Sequence, residues 1–315
     1  MKLQQLRYLC EVVEQRFNVS EASAALHTSQ PGISKQIRLL EQELGVDILV
    51  RSGNRIIGMT EAGTDIVHAA RRVLVDSRQL EEIAHEFTHQ NRGQLTVATT
   101  HLHVRYSLLP VIKEFSKKYS NVHLKLLQGS PAEIAALVST GEADIGMSTG
   151  SDELARHCVT LKAYPLYRCV IAPLGHPLLG RKRLTLKAIA TYPLILYDAS
   201  LSSGSIVRDT FEQAGIRPTV ALSAMDADVI KAYVAARVGI AVLQKLAYDP
   251  SRDIEIGAIG VDHLFPPSDA KLIVNRGKFL RQYMFDFIQM VAPVWTPNRV
   301  RRALIASRCT PCVRY

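Results

Sequence analysis

The stretch from Ser20 to Gly45 constrains the fold most, because it sets two helical patterns side by side across a three-residue turn. Ser20 is a suitable N-cap for a short Ala-rich helix over 21–26. His27-Thr28-Ser29 makes the turn, and a second helix opens at Gln30-Pro31-Gly32, where proline is tolerated and a preceding Ser or Thr can cap. Gly45 is its stop signal. Ile33, Ile37, Leu40 and Leu44 fall on one stripe, so Ser34, Lys35 and Arg38 point elsewhere, mostly outward. Upstream, Leu3, Leu6, Leu9/Cys10, Val13 and Phe17 give a first amphipathic helix. Downstream, 48–51 and 55–57 flank Ser52-Gly53-Asn54, a turn suited to a short hairpin. Three helices followed by a hairpin predict a winged helix-turn-helix over residues 1–59.

Such a domain packs the apolar face of its last helix inward and offers polar groups near that helix's N-terminus to base edges. Gln30 suits adenine, Lys35 and Arg38 suit guanine edges or phosphates, and Ser29 and Ser34 suit phosphates. Arg51 and Arg55 on the wing are placed to grip phosphate or enter a minor groove. With Pro31 in the first turn, these are the expected DNA-binding residues, and double-stranded DNA the expected partner. A net charge of +9, from 38 Lys/Arg and 29 acids, fits a polyanionic partner. Yet residues 1–58 hold seven cations against six acids, so bulk charge does not locate the interface. Residue order does: between Glu21 and Glu41, and between Asp47 and Glu61, every charged residue is a cation. The alternative, a small helical domain with solvated charges, leaves the agreement of caps, turn and wing unexplained.

Thr60 can cap a long helix over about 61–89, with Ile66, Val67, Ala70, Val73, Leu74, Leu80 and Ile83 apolar. A helix this long and exposed needs a partner, so 60–90 reads as a dimerisation linker. After Asn91-Arg92-Gly93 strands and helices alternate. Strands are predicted at 95–99, 122–127, 144–147, 167–173, 194–197 and 240–242, and helices at 107–118, 132–140, 205–214 and 227–236. Alternation predicts parallel sheet, hence an α + α/β chain with a ligand-binding domain over 93–293. Residues 294–315 read as a basic, weakly structured tail.

No stretch of eighteen uncharged apolar residues occurs, and the chain starts directly in an amphipathic pattern without a leader-like segment, so a cytoplasmic location is expected. Five scattered cysteines (Cys10, Cys158, Cys169, Cys309, Cys312) fit reduced thiols. The lone Cys309-Thr310-Pro311-Cys312 leaves a redox or metal-sensing tail as an alternative. No P-loop, G-x-S-x-G or G-x-G-x-x-G is present, and no nucleophile–base set is visible, which argues against an enzyme.

Hydroxyls recur at strand-to-helix junctions: Thr99/Thr100, Gly129-Ser130, Thr149-Gly150 and Ser202-Ser203-Gly204. Helix N-termini offer free amides and a dipole suited to an anion, and several can converge between two α/β lobes. Singly, each reads more readily as only an N-cap; together they point to a site for a small anion. His101 and His103 form an H-x-H pair that needs a third ligand to hold a metal; bordering a pocket, protonated His103 is suited to an anion.

Residues 1–63 resemble the LysR-type winged helix-turn-helix, through Ser29-Gln30-Pro31-Gly32-Ile33-Ser34-Lys35-Gln36-Ile37 followed by Leu40-Glu41. Met1-Lys2-Leu3-Gln4-Gln5-Leu6-Arg7-Tyr8, Gln128-Gly129-Ser130-Pro131 and Asp226-Ala227-Asp228-Val229-Ile230-Lys231 are similar to the CysB/Cbl branch, regulators of sulfur assimilation and cysteine synthesis. The resemblance covers about residues 1–290. It implies a two-lobed, periplasmic-binding-protein-like effector domain and assembly as homodimers or homotetramers. It also implies no cofactor and a small effector such as sulfate, O-acetylserine or N-acetylserine. Thr99, Thr100, His103, Ser130, Thr149, Ser202 and Ser203 are then the expected effector residues. The chain departs from the CysB pattern at Leu102, His103 and Leu166, pointing to an altered ligand preference; Tyr167 is a candidate replacement for the aromatic absent at Leu166. The rival reading is an enzyme or transport binding module whose N-terminal domain only mediates assembly.

Overall fold

The computed structural model describes residues 1–53, 55–88, 92–149, 158–199 and 202–306, and they fall into two compact units, 1–89 and 90–315. Asn54, Asn91, Gly150, Cys309 and Cys312 lie outside the described residues.

The first unit runs α1 (Leu3–Glu14), α2 (Val19–Ala25), α3 (Gln30–Leu44), β1 (Leu49–Ser52), β2 (Arg55–Met59) and α4 (Glu61–Thr88). Leu9, Val12, Ile33, Ile37, Leu40 and Ile48 form its core. Ser20 does not cap α2. The Asn18 side chain accepts from the Ser20 and Glu21 amides at 3.1 and 3.3 Å, which leaves Ser20 inside the first turn. Gly45 ends α3 with φ +72°, and Leu44, on the exiting turn, is exposed instead of completing the stripe. Glu41, a charged side chain, is by contrast buried on α3. Thr60 accepts from the Gly63 amide at 2.8 Å and caps α4 as expected. A Cβ on Gly63 would stand 2.0 Å from the Ile48 carbonyl oxygen, so only glycine lets α4 lie against the hairpin's base. Val67 and Ala70 complete the core, whereas Val73 and Leu80 are exposed. The first half of α4 thus belongs to the domain, and an apolar stripe continues beyond it.

The second unit begins β3 (Gly93–Thr99), a π-helical turn (His103–Ser107), α5 (Leu108–Lys118), β4 (Val122–Gln128), α6 (Pro131–Thr140), β5 (Ile145–Ser148) and β6 (Cys158–Leu166). Next come β7 (Arg168–Pro173), α7 (Leu186–Ala190), β8 (Leu194–Tyr197), α8 (Ser202–Gln213), β9 (Val220–Ala224), α9 (Ala227–Ala235), β10 (Ile240–Gln244) and β11 (Ile256–Gly260). It closes with β12 (Ser268–Asn275), α10 (Gln282–Val291) and α11 (Pro297–Ala306). Two five-stranded sheets result, ordered β4-β3-β5-β12-β6 and β11-β7-β10-β8-β9. Each is mixed and not wholly parallel: β12 runs antiparallel to β5 and β6, and β7 runs antiparallel to β10 and β11.

The chain crosses between lobes twice, from β6 to β7 and from β11 to β12. Arg168, 1% exposed, pins both crossings. Its guanidinium donates to the Pro266 carbonyl and, at 2.7 Å, to Ser268 Oγ, while its carbonyl accepts from the Val261 amide at 3.2 Å. Burial pushes this guanidinium down to about 10. The expected weakly structured tail is in part α11. Val300 is fully buried against the first lobe and Arg301 lies 4.5 Å over the Phe285 ring.

Candidate functional site

On α3, Ser29 caps the helix, its Oγ accepting from the Gly32 amide at 3.3 Å, and Pro31 occupies the first turn. Gln30, Lys35 and Arg38 are exposed and Ser34 is half-buried. Gln30 Nε2 donates to Ser20 Oγ at 2.8 Å, so the amide leaves α3 already oriented against α2. The two wing arginines differ. Arg51 donates to Glu41 through both terminal nitrogens, at 3.1 and 2.7 Å, while Glu41 also accepts from the Ile48 and Leu49 amides at 2.9 and 3.1 Å. Burial opposes ionisation of Glu41, but Arg51 and the two amides outweigh it and hold its carboxyl below the usual range. Arg51 therefore fastens the wing to α3, a role that its sequence position does not announce; Arg55 is exposed on β2.

In the second unit a cleft of about 390 Å³ opens between the lobes. It takes Thr100, His101 and Leu102 from the turn after β3, Gln128 and Ser130 from the β4–α6 junction, and Thr149 from the end of β5. The second lobe adds Tyr197, Ser203, Met225, Asp226, Ala227 and Gln244. Thr100, Ser130, Thr149 and Ser203 thus meet as the sequence suggests. Ser202 is the first residue of α8, and its side chain lies outside the described residues. Thr99 is fully buried at the end of β3 and does not line the cleft. Two helix starts are already satisfied by their own side chains. Ser130 and Glu133 form a reciprocal capping box on α6, and Asp226 accepts from the Val229 amide at 2.8 Å on α9. Ser203 is brought in by Gly204, where a Cβ would stand 2.3 Å from the Asp198 carbonyl oxygen and 2.5 Å from that of Tyr197. Gln244 and Tyr197, which sequence reasoning misses, end adjacent parallel strands, where α/β sheets bind ligands.

His103 does not face an anion. It is fully buried, with Nδ1 3.3 Å from Ser107 Oγ and 3.4 Å from the Tyr164 hydroxyl, and burial pushes its pKa down to about 4, so the ring is neutral. Of the two histidines expected to border the pocket, His101 lines the cleft and His103 does not. His101 points to Asp228 of the second lobe, at 3.3 Å. Asp228 also accepts from Tyr106 at 2.6 Å and pairs with Arg105 at 3.5 Å and Lys231 at 3.3 Å. Burial works against its ionisation, but Tyr106, His101 and Lys231 hold its carboxyl down at about 2. Asp228 is thus a clasp between lobes at the cleft's edge. Leu166 is buried in the first-lobe core, and Tyr167 is exposed and outside the cleft lining, so the cleft's aromatic ring is that of Tyr197.

Residues 3–64 match the family described as "Bacterial regulatory helix-turn-helix protein, lysR family", and residues 88–296 match "LysR substrate binding domain". The chain belongs to the LysR family. It is 45% identical over 293 residues to the HTH-type transcriptional regulator SsuR of Burkholderia cenocepacia, covering 93% of this chain and 95% of that one. To the CysB regulator of the same organism it is 38% identical over 304 residues, covering 96% and 97%. Among solved structures, the cofactor-binding domain of the Cbl transcriptional regulator matches with a TM-score of 0.65 at 34% identity, over 69% of this chain and 95% of that one. Full-length CbnR complexed with its target DNA matches with a TM-score of 0.65 over 96% and 100%; at 21% identity it speaks for the fold alone. The chain is accordingly a LysR-type transcriptional regulator of the CysB/Cbl-like group. No helix among the described residues is long and apolar enough to cross a membrane.

Proposed function

We propose that this LysR-type regulator binds promoter DNA of sulfur-assimilation and cysteine-synthesis genes and responds to a small anionic or acetylserine-like effector between its lobes. The observation that carries the effector reading is the cleft itself: four Ser and Thr residues from four separate segments line one space, with the Tyr197 hydroxyl as a fifth. A sulfur role is supported by the relationship to CysB, Cbl and SsuR regulators. Ser29, Gln30, Pro31, Ser34, Lys35 and Arg38 form the proposed base- and phosphate-reading edge of α3, with Arg55 on the wing. The exposed stripe on α4, including Val73 and Leu80, is the proposed dimerisation surface. Dimers set two recognition helices about one DNA turn apart. Effector binding biases lobe closure, and it changes DNA bending only if it favours one subunit arrangement over the other.

Fluorescence anisotropy on a sulfur-assimilation promoter, in rising salt and with candidate sulfur metabolites, tests this reading. Specific binding that falls steeply with salt, and that a metabolite alters, is the expected result. Absence of sequence-specific binding to that promoter at every salt concentration defeats the sulfur-promoter assignment. DNA binding that no sulfur metabolite alters defeats the effector assignment.

A further inference from the structure

Little of this chain's excess positive charge sits in the domain that reads DNA. Five of the nine net positive charges fall in the last twenty residues, whereas residues 1–58 contribute a net of one. No Asp or Glu follows Asp286. DNA is a polyanion whose affinity for proteins rests largely on neutralised phosphates, so the place of the surplus cations matters.

Three of those five arginines stand on α11. Val300 is fully buried, Ala303 and Leu304 pack against the first-lobe core, and Trp295 Nε1 donates to the Lys162 carbonyl at 2.7 Å, so the helix is docked by one face. Arg299, Arg301 and Arg302 are exposed. Arg299 donates to the Val294 carbonyl at 3.0 Å and Arg301 lies over the Phe285 ring. Both contacts orient a guanidinium without neutralising it. None of the three forms an ion pair among the described residues. Elsewhere in the same unit, Lys118, Lys162, Lys231 and Lys278 each meet a carboxylate. Arg299 and Arg302, three residues apart on a helix, repel one another until an anion lies between them. The cleft lining does not include α11, and the match to the LysR substrate binding domain ends at residue 296, before the helix begins.

We propose that α11 is a second DNA contact, whose three arginines neutralise backbone phosphates without regard to base sequence. Exposed guanidiniums spread along a docked helix match a run of phosphates, and each can meet a phosphate through two N–H groups. The proposal rests on DNA binding by the N-terminal domain and on neither the sulfur promoter nor the effector.

Fluorescence anisotropy of the full chain on a sulfur-assimilation promoter and on an unrelated duplex of equal length, over a salt series, tests it. The combined variant Arg299→Gln, Arg301→Gln, Arg302→Gln lowers the slope of log affinity against log salt by about two to three on both duplexes, since each neutralised phosphate contributes about 0.9. Lys at the same three positions restores the slope, which a merely structural role would not allow. If the combined Gln variant does not fold, Arg302→Gln alone carries the test, with an expected drop of about 0.9. An unchanged slope in the Gln variant overturns the α11 contact and leaves the recognition helix's role standing. An unchanged slope with lost binding to vesicles of phosphatidylserine and phosphatidylcholine also overturns it, in favour of an anionic membrane surface. Equal affinity of the wild-type chain for the two duplexes counts against the sulfur promoter alone.

Discussion

The recognition helix and the interlobe cleft hold their chemistry in contrasting ways. On α3 the proposed reading groups, Gln30, Ser34, Lys35 and Arg38, lie within nine residues of continuous chain and project from one helix. In the cleft, Thr100, Ser130, Thr149, Tyr197, Ser203 and Gln244 come from six segments, assembled by two sheets and two crossings. A continuous site needs only a correctly packed helix, whereas a discontinuous one depends on every register that brings its parts together. The contrast is sharpest where each region breaks its own rule, and those places are the ones to mutate.

The largest effect is expected at Glu41, the point where α3 depends on a distant contact. Glu41→Ala leaves the Ile48 and Leu49 amides and the Arg51 guanidinium without their carboxylate. Breaking a buried pair from one side costs about 3 kcal/mol or more. Chemical denaturation followed in the first unit should show that loss; a loss under about 1 kcal/mol would mean the wing holds to α3 without it.

His103 tests the cleft side of the comparison, where a residue expected to bind ligand proved to be core. Its folded pKa of about 4 lies below the ordinary 6.5, so between these values the unfolded chain takes up a proton that the folded chain does not. Stability from this group is complete above about pH 6.5 and is lost as pH falls towards 4, by about 3 kcal/mol in all. His103→Gln should flatten that part of the stability–pH curve. An unchanged curve would show that the ring protonates in place, as an anion-facing histidine would.

These outcomes track what is legible in the sequence. The helix-turn-helix is readable because the Ile33–Ile37–Leu40 stripe, the Ser29 cap, Pro31 and the Gly45 stop are local signals. Glu41 is not, since nothing local tells a surface glutamate from one that closes on two amides and an arginine. In the second unit β3, β4, β5, β7, β8 and β10 stand out, but β6, β9, β11 and β12 do not. β12 enters its sheet between β5 and β6 after the chain has built the whole second lobe, and β11, Ile-Gly-Ala-Ile-Gly, has too little β-branched character to announce itself. The hydroxyls of the cleft are visible as helix-start residues. Gln244 and Tyr197 are not, because a strand's last residue acquires its meaning only from the neighbouring strand.

Within α3, Lys35→Ala and Gln30→Ala separate phosphate grip from base reading. Lys35→Ala is expected to weaken specific and non-specific DNA binding alike, whereas Gln30→Ala relaxes preference at one base pair, worth about 1–3 kcal/mol. Gln30 already leans on Ser20 at 2.8 Å, so Ser20→Ala should reproduce part of the Gln30 effect if that hydrogen bond orients the amide. An unaltered binding-site preference in both variants would remove Gln30 from the reading edge.

The smallest effect on DNA affinity is expected at the two wing arginines, four residues apart on one hairpin. Arg51 is half-buried and committed to Glu41; Arg55 is exposed. Arg51→Ala should therefore lower the melting temperature of the first unit. Arg55→Ala should leave that temperature unchanged and reduce the slope of log affinity against log salt by about one, as when one phosphate is no longer neutralised by the protein. The affinity change at low salt is about 1 kcal/mol or less, so the slope is the measurement that decides. If Arg51→Ala lowers the slope while the melting temperature stays fixed, then the Glu41 pair opens on DNA and Arg51 reaches phosphate after all. The wing would then hold α3 in the free protein and release an arginine to the backbone in the complex.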